Sequence, residues 1–238
     1  MAFFAGLAAA DTFLMPTAVD WNRGESIWIN QDGSDQYAYF AGVVAIELSQ
    51  NGQQYNRDTL CVDLFTDINL GVNYGTEVLR PDQVPGKNLQ RVSWLIDNAL
   101  LPTQGPSYPS VLSSSDWVTT AAQGAGIQLA VWDITHDGGD GFYSGRVQAS
   151  TASGQLTDPT ALAWAETYEA LSVGHQSDQA FVYQNWDLTT MAPAQMLEGP
   201  MFLDHGPSPA PESATYLLTG ISLIVLASRT HRRARPVR

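Results

Sequence analysis

The sequence predicts an α+β fold, a β-sandwich or barrel with a helical insertion, on three observations. The first third alternates apolar with polar residues, the middle repeats its apolar residues every three to four positions, and QAFVYQNW at 179–186 returns to strand character. With 238 residues, 44% of them hydrophobic and 15% charged, the chain suits one sizeable domain with short terminal appendages.

The strands come first. SIWIN at 26–30 alternates apolar with polar, and YAYFAGVVAIEL at 37–48 is aromatic and β-branched up to the turn Ser49-Gln50-Asn51-Gly52. Thr59 to Phe65 reads as a further strand, with Cys61, Asp63 and Phe65 on one face and Leu60, Val62 and Leu64 on the other. The helices follow. Leu89, Val92, Leu95, Ile96, Ala99 and Leu100 fall at helical spacing. A second helix is expected from Ser115 or Asp116 towards His136, stopped by Asp137-Gly138-Gly139. Asp158 as cap and Pro159 in the first turn begin a third. These elements place the domain at residues 21–205, followed by a Pro/Ser linker at 206–213.

The two ends have a different character. The first 20 residues contain an apolar run ending in Ala8-Ala9-Ala10, as in the later half of a truncated signal peptide, with a first strand as the alternative. At the other end, Ala214–Ala227 is apolar and uncharged over 14 residues, against the ~20 that span a bilayer comfortably. Five arginines follow within the last ten residues, a cluster that holds the end of a membrane segment in the cytoplasm and leaves the preceding domain outside. A membrane helix at 214–228 and a cytoplasmic tail at 229–238 are therefore expected. Ala210-Pro211-Glu212-Ser213, the hydrophobic stretch and the arginine-rich end together resemble the PEP-CTERM sorting signals of bacterial exported proteins, with Ser213 where the commonest form has a second proline. The resemblance covers about the last thirty residues. It implies processing by an exosortase-type enzyme and a destination in the cell envelope or at the surface.

Charge narrows the partners. The first 228 residues hold 24 acidic side chains against six basic ones, and Lys87 is the only lysine. Nucleic acid is excluded as a partner, because phosphate binding needs a Lys/Arg footprint. A single cysteine makes no intramolecular disulfide, so in an exported protein Cys61 calls for other chemistry.

A partner for it lies in the second helix, in GAGIQLAVWD at 124–133. Ile127, Val131 and Ile134 form an apolar stripe, with Gln128, Trp132 and His136 four residues apart on the neighbouring one. Gly124 and Gly126 are costly in a helix interior but let another backbone approach closely just before Gln128. Leu60-Cys61-Val62-Asp63-Leu64 and Ile127-Gln128-Leu129-Ala130-Val131-Trp132 resemble the two motifs of thioester (TQXA) domains of bacterial surface adhesins, and VSWLIDNALLP with SYP resembles the helix and turn between them. Leu60 stands where that family often has an aromatic residue, and Ile127 where its name implies threonine. The likeness spans roughly residues 37–185.

The resemblance implies that Cys61 and Gln128 join side chains. The Cys61 thiolate attacks the Gln128 carboxamide and expels ammonia, leaving an acyl thioester that lasts while water is excluded. A partner amine or hydroxyl then attacks the acyl carbon and frees Cys61. This is single-use covalent capture without turnover, so neither enzyme activity nor a cofactor is expected. Trp132 and Ala130 would shield the bond, and Asp63 would either bind a backbone group near it or point to solvent. His136 would transfer protons if its stripe faces the thioester, although a histidine in a last helical turn is more simply read as complementing the macrodipole. HDGGDG at 136–141 departs from calcium-loop spacing and reads as a turn, with no metal expected. Two alternatives stand beside capture: a non-covalent extracellular matrix component, and a cysteine hydrolase or transferase with Cys61 as nucleophile and His136 as base.

Overall fold

A computed structural model describes residues 12–100, 110–149 and 158–200, excluding the side chains of 34–39. β1 (Thr12–Gln31) is a long strand that pairs with β2 (Ser34–Gln50), which turns through Asn51 and Gly52 into β3 (Gln53–Cys61). Both turn residues have positive φ, the backbone of a tight hairpin whose twist matches its strands. β4 (Tyr74–Leu79), β5 (Val147–Gln148), β6 (Ala180–Asp187) and β7 (Leu197–Pro200) complete the sheet. Every pairing is antiparallel, and the order β1-β2-β3-β7-β6-β4 returns to β1 through Phe13↔Gly75 and Leu14↔Tyr74. The sheet therefore closes as a barrel, and β5 pairs only with the far end of β1.

Closure is stabilised by what it encloses. Register partners share a face, which puts Leu14, Leu48, Ile46, Thr59, Leu197 and Tyr183 together on the inner one, all buried. Thr59 donates to Val44 O at 2.9 Å and Thr76 to Asn185 Oδ1 at 2.7 Å, so the polar groups on this face are paired as burial requires. Cys61 is the last inward-facing residue of β3.

The helices fall between β4 and β6, as the insertion predicted from sequence. α1 (Leu89–Leu95) continues as a π-helical turn over Ile96–Leu100. α2 (Ala121–His136) is buried almost throughout, and α3 (Pro159–Ser172) packs against it. Asp158 caps α3 as expected, its Oδ1 accepting from Thr160 N at 2.7 Å and Ala161 N at 3.1 Å.

Three boundaries differ from expectation. β1 begins at Thr12 and Leu14 lies in the core, so residues 12–20 belong to the barrel and the first-strand alternative holds for them. α2 starts at Ala121; the Ser and Asp signals at 113–116 form a 3₁₀ turn of their own, in which Ser113 Oγ donates to Asp116 at 2.7 Å. β3 ends at Cys61, because Asp63 Oδ1 accepts from Phe65 N at 3.1 Å and turns the chain out of the ladder. Residues 1–11, the linker, the sorting motif with Pro211 and Glu212, the apolar segment 214–228 and the tail lie outside the described residues. Among the described residues no helix is long and apolar enough to cross a membrane.

Candidate functional site

The site begins with a gap in a strand ladder. The β2–β3 register ends at Val44↔Thr59, where β1 and β2 also shift register, and on the other side of β3 Val62 N donates to Met196 O at 3.0 Å. Cys61 thus directs its own N–H and C=O towards the side that β2 has left. The Gln128 carboxamide fills that place. Its Oε1 accepts from Cys61 N at 2.9 Å and its Nε2 donates to Cys61 O at 2.6 Å. A side-chain amide stands in for a strand residue, and two buried backbone groups are paired as β-sheet neighbours would pair them.

The local sequence of α2 explains how Gln128 arrives there. Thr120 and Gln123 form a reciprocal capping box that starts the helix. A Cβ on Gly124 would stand 1.9 Å from Arg23 O, and one on Gly126 would stand 2.5 Å from Trp164 Cβ. The two glycines therefore let α2 seat against the β1 backbone on one side and α3 on the other. The close approach expected from sequence is present, and one turn later it delivers Gln128 to Cys61.

The pair is well enclosed. Gln128 is fully buried and Cys61 is 7% exposed. Trp132, one turn beyond Gln128 on the same stripe, is buried. Ala130 is buried too, but about 200° round the helix from Gln128 it faces away from the bond it was expected to shield. Burial, with a smaller contribution from Asp63, pushes the Cys61 thiol up to about 12. The site disfavours a thiolate and favours an uncharged sulfur.

The segment leaving Cys61 is pinned from several sides. Gln195 Nε2 donates to Asp63 O at 2.9 Å, and Leu64 N donates to His136 Nε2 at 3.2 Å. The His136 ring meets Phe65 edge-on at 4.7 Å between centroids, and Arg146 lies over Phe65 while pairing with Asp32 at 2.7 Å. Burial, reinforced by Lys87, holds His136 down to about 4. A neutral imidazole does not complement the helix macrodipole, so the expectation from its last-turn position gives way to a latch on Leu64. That bond occupies Nε2, and its acceptor role assigns the ring proton to Nδ1. Asp63 binds a backbone group, Phe65 N, as expected.

Sequence reasoning missed Gln195 and Phe65 as fasteners of this segment, because both contacts join parts of the chain that only folding brings together. It also missed the Thr120 capping box, whose T-x-x-Q spacing was there to be read. At the C-terminal end of α2, the carboxylates of Asp133, Asp137 and Asp140 converge, the one group of potential metal ligands among the described residues.

No protein-family model matches the chain, and no curated protein matches it. Among solved structures it is similar to the N-terminal domain of the Streptococcus pyogenes pilus tip adhesin Cpa, over 79% of this chain and 97% of that chain, with 13% sequence identity and a TM-score of 0.38. A likeness at that score carries no argument about function.

Proposed function

We propose that the barrel domain carries an internal thioester between Cys61 and Gln128 and binds nucleophiles on a partner covalently. One observation carries this: the Gln128 carboxamide is held on the backbone of the very cysteine that would attack it. Docking of this kind removes most of the orientational cost of an attack by Sγ on Cδ. Cys61 N–H polarises the carbonyl that must develop negative charge, as an oxyanion-hole donor does.

The step balances without a co-reactant. The S–C bond forms, the C–N bond of the amide breaks, and the thiol proton leaves with the nitrogen as ammonia. In capture, a partner amine attacks the acyl carbon, a new amide forms on Gln128, the C–S bond breaks, and the sulfur takes the proton the amine gives up. A thiol whose ionisation is pushed up to about 12 is a poor leaving group, so the thioester would persist until a well-placed nucleophile arrives. An imidazole whose acceptor nitrogen is engaged by Leu64 N gives no support to a Cys61–His136 hydrolase couple.

The tail extends the proposal to an exported protein delivered to the cell envelope through a PEP-CTERM-type signal around Pro211 and Glu212, with an exosortase-type enzyme as processing partner and amine- or hydroxyl-bearing surface or matrix molecules as targets. Intact-mass measurement of freshly purified protein tests the core of it. The expected mass is one ammonia below the sequence mass, with methylamine adding once and exposing a titratable thiol. A full sequence mass, a free thiol and no methylamine adduct would overturn it and leave the non-covalent matrix role.

A further inference from the structure

The C-terminal end of α2 concentrates three carboxylates, and among the described residues none of them is ion-paired with an Arg or Lys side chain. Asp133 lies in the last turns of the helix, Asp137 is its C-cap and Asp140 follows in the loop; one carboxylate oxygen of each lies within 4.8 Å of the others. Two of them are fixed by backbone donors. Asp137 Oδ2 accepts from Arg146 N at 2.8 Å and Val147 N at 2.7 Å, and Asp133 Oδ2 accepts from Gly141 N at 3.2 Å. Gly145 makes the convergence possible, since a Cβ there would stand 2.8 Å from Asp137 Oδ2 and 2.9 Å from Asp140 Oδ1.

A separate observation indicates that something is to be bound. Asp133 is fully buried, and its Oδ1 has no hydrogen-bond partner. A buried carboxylate in that state is costly unless a cation or a proton neutralises it. Glu169 of α3 brings a fourth carboxyl to the same field, close enough to Asp133 to share a hydrogen bond when one of the two holds a proton. The nearby Arg91 guanidinium directs its donors at Ser172 Oγ, Gly138 O and Glu169 O. The end of a helix is itself partially negative.

We infer that Asp133, Asp137 and Asp140 form a site for a hard divalent cation of the calcium type. The donors are all oxygens, and oxygens on opposite sides of a Ca²⁺ ion stand about 4.8 Å apart, the spread these three allow. Water would complete the coordination. The sequence spacing reads as a turn and the chain does turn here; the site is assembled by the fold, from a helix residue, its cap and a loop. A cation would fix the loop that carries Arg146, and with it the Phe65 and His136 contacts on the segment leaving Cys61. The site is independent of whether the thioester forms.

The test uses the full chain, in detergent, stripped with a chelator and titrated with CaCl₂ and then MgCl₂, following both heat and unfolding midpoint. The expected result is one calcium per chain with a dissociation constant of about 10⁻⁴–10⁻³ M, as in extracellular modules, and a raised midpoint. Asp140→Asn, at an exposed position, should weaken calcium binding at least about tenfold, whereas Glu77→Gln, at the exposed position of β4, should leave it unchanged. Asp133→Asn should raise the midpoint in chelator and abolish its response to calcium. No heat and no midpoint shift at about 10 mM CaCl₂ would overturn the site. So would a midpoint that responds to acid and not to calcium, the mark of a proton shared by Asp133 and Glu169.

Discussion

Leu60 and Cys61 are neighbours in β3, point to opposite faces of the sheet, and each lies beside one buried polar side chain from another element. At Cys61 it is Gln128, an amide whose donor and acceptor are both used. At Leu60 it is Glu198, its register partner in β7, fully buried, with neither carboxyl oxygen hydrogen-bonded. Burial pushes Glu198 well above the usual carboxyl range, and Asp97 pushes it further. Asp97, in the π-helical turn, is itself raised to about 6 by burial although Ser177 donates to it. The contrast is one of chemistry at equal depth. A neutral group with matched donors can be buried beside a strand at little cost, whereas an acid buried there must keep its proton.

The largest effect should come from breaking the paired side. Gln128→Ala removes the acyl donor and leaves Cys61 N–H and C=O buried without partners, so ammonia loss should vanish and stability in chemical denaturation should lie about 2–5 kcal/mol below that of Cys61→Ala, which also lacks the thioester. Cys61→Ala should abolish ammonia loss equally while keeping both ladder bonds; equal stability of these two unlinked variants would show that the ladder bonds matter little. Next, Gly124→Ala drives a Cβ into the Arg23 carbonyl, a backbone atom that cannot swing aside. It should cost about 3 kcal/mol and slow thioester formation, read as a mixed population by intact mass.

On the unpaired side the sign reverses. Glu198→Gln should stabilise the domain by about 1–3 kcal/mol at neutral pH. Because the folded-state pKa values of Glu198 and Asp97 are raised, the contribution of these two groups to stability is fully present below the ordinary carboxyl range. It falls as pH rises through about 6 for Asp97, and the fall continues above that for Glu198. A thermal-unfolding series against pH in chelator should show this slope, and Glu198→Gln should flatten its upper part. The smallest effect is expected at His136→Ala, about 1 kcal/mol from the lost acceptor for Leu64 N and the lost Phe65 contact. Ammonia loss should remain complete in that variant, since the ring's acceptor nitrogen is engaged by Leu64 N.

The same contrast bears on what the sequence made legible. Cys61 and Gln128 could be picked out because each stands in a recognisable motif, and Gly124 and Gly126 because glycine in a helix interior needs a reason. Periodicity also found α1, the end of α2, and α3 with its Asp158 cap. The closed barrel was one of two options, since closure depends on Phe13 and Leu14 meeting Gly75 and Tyr74, a long-range register no local pattern encodes. β1 was not seen as one strand because Pro16 and Gly24 interrupt its alternation, and bulges absorb both. β7, LEGP, has no strand pattern and exists because β3 and β6 hold it from either side. Glu198 passed unnoticed for that reason: an acid in a segment without periodicity reads as surface.

The docking of α2 on β3 has a topological consequence. Cys61 and Gln128 are 67 residues apart, and the proposed thioester would close the intervening barrel strand and helices into a covalent ring. A ring of that size restrains the unfolded chain by about 4 kcal/mol in the loop-entropy model used for disulfides. Capture opens it. A domain that has taken hold of its target would thus be thermally weaker than one still waiting, and the difference in unfolding midpoint between the untreated and methylamine-treated protein reads out the ring.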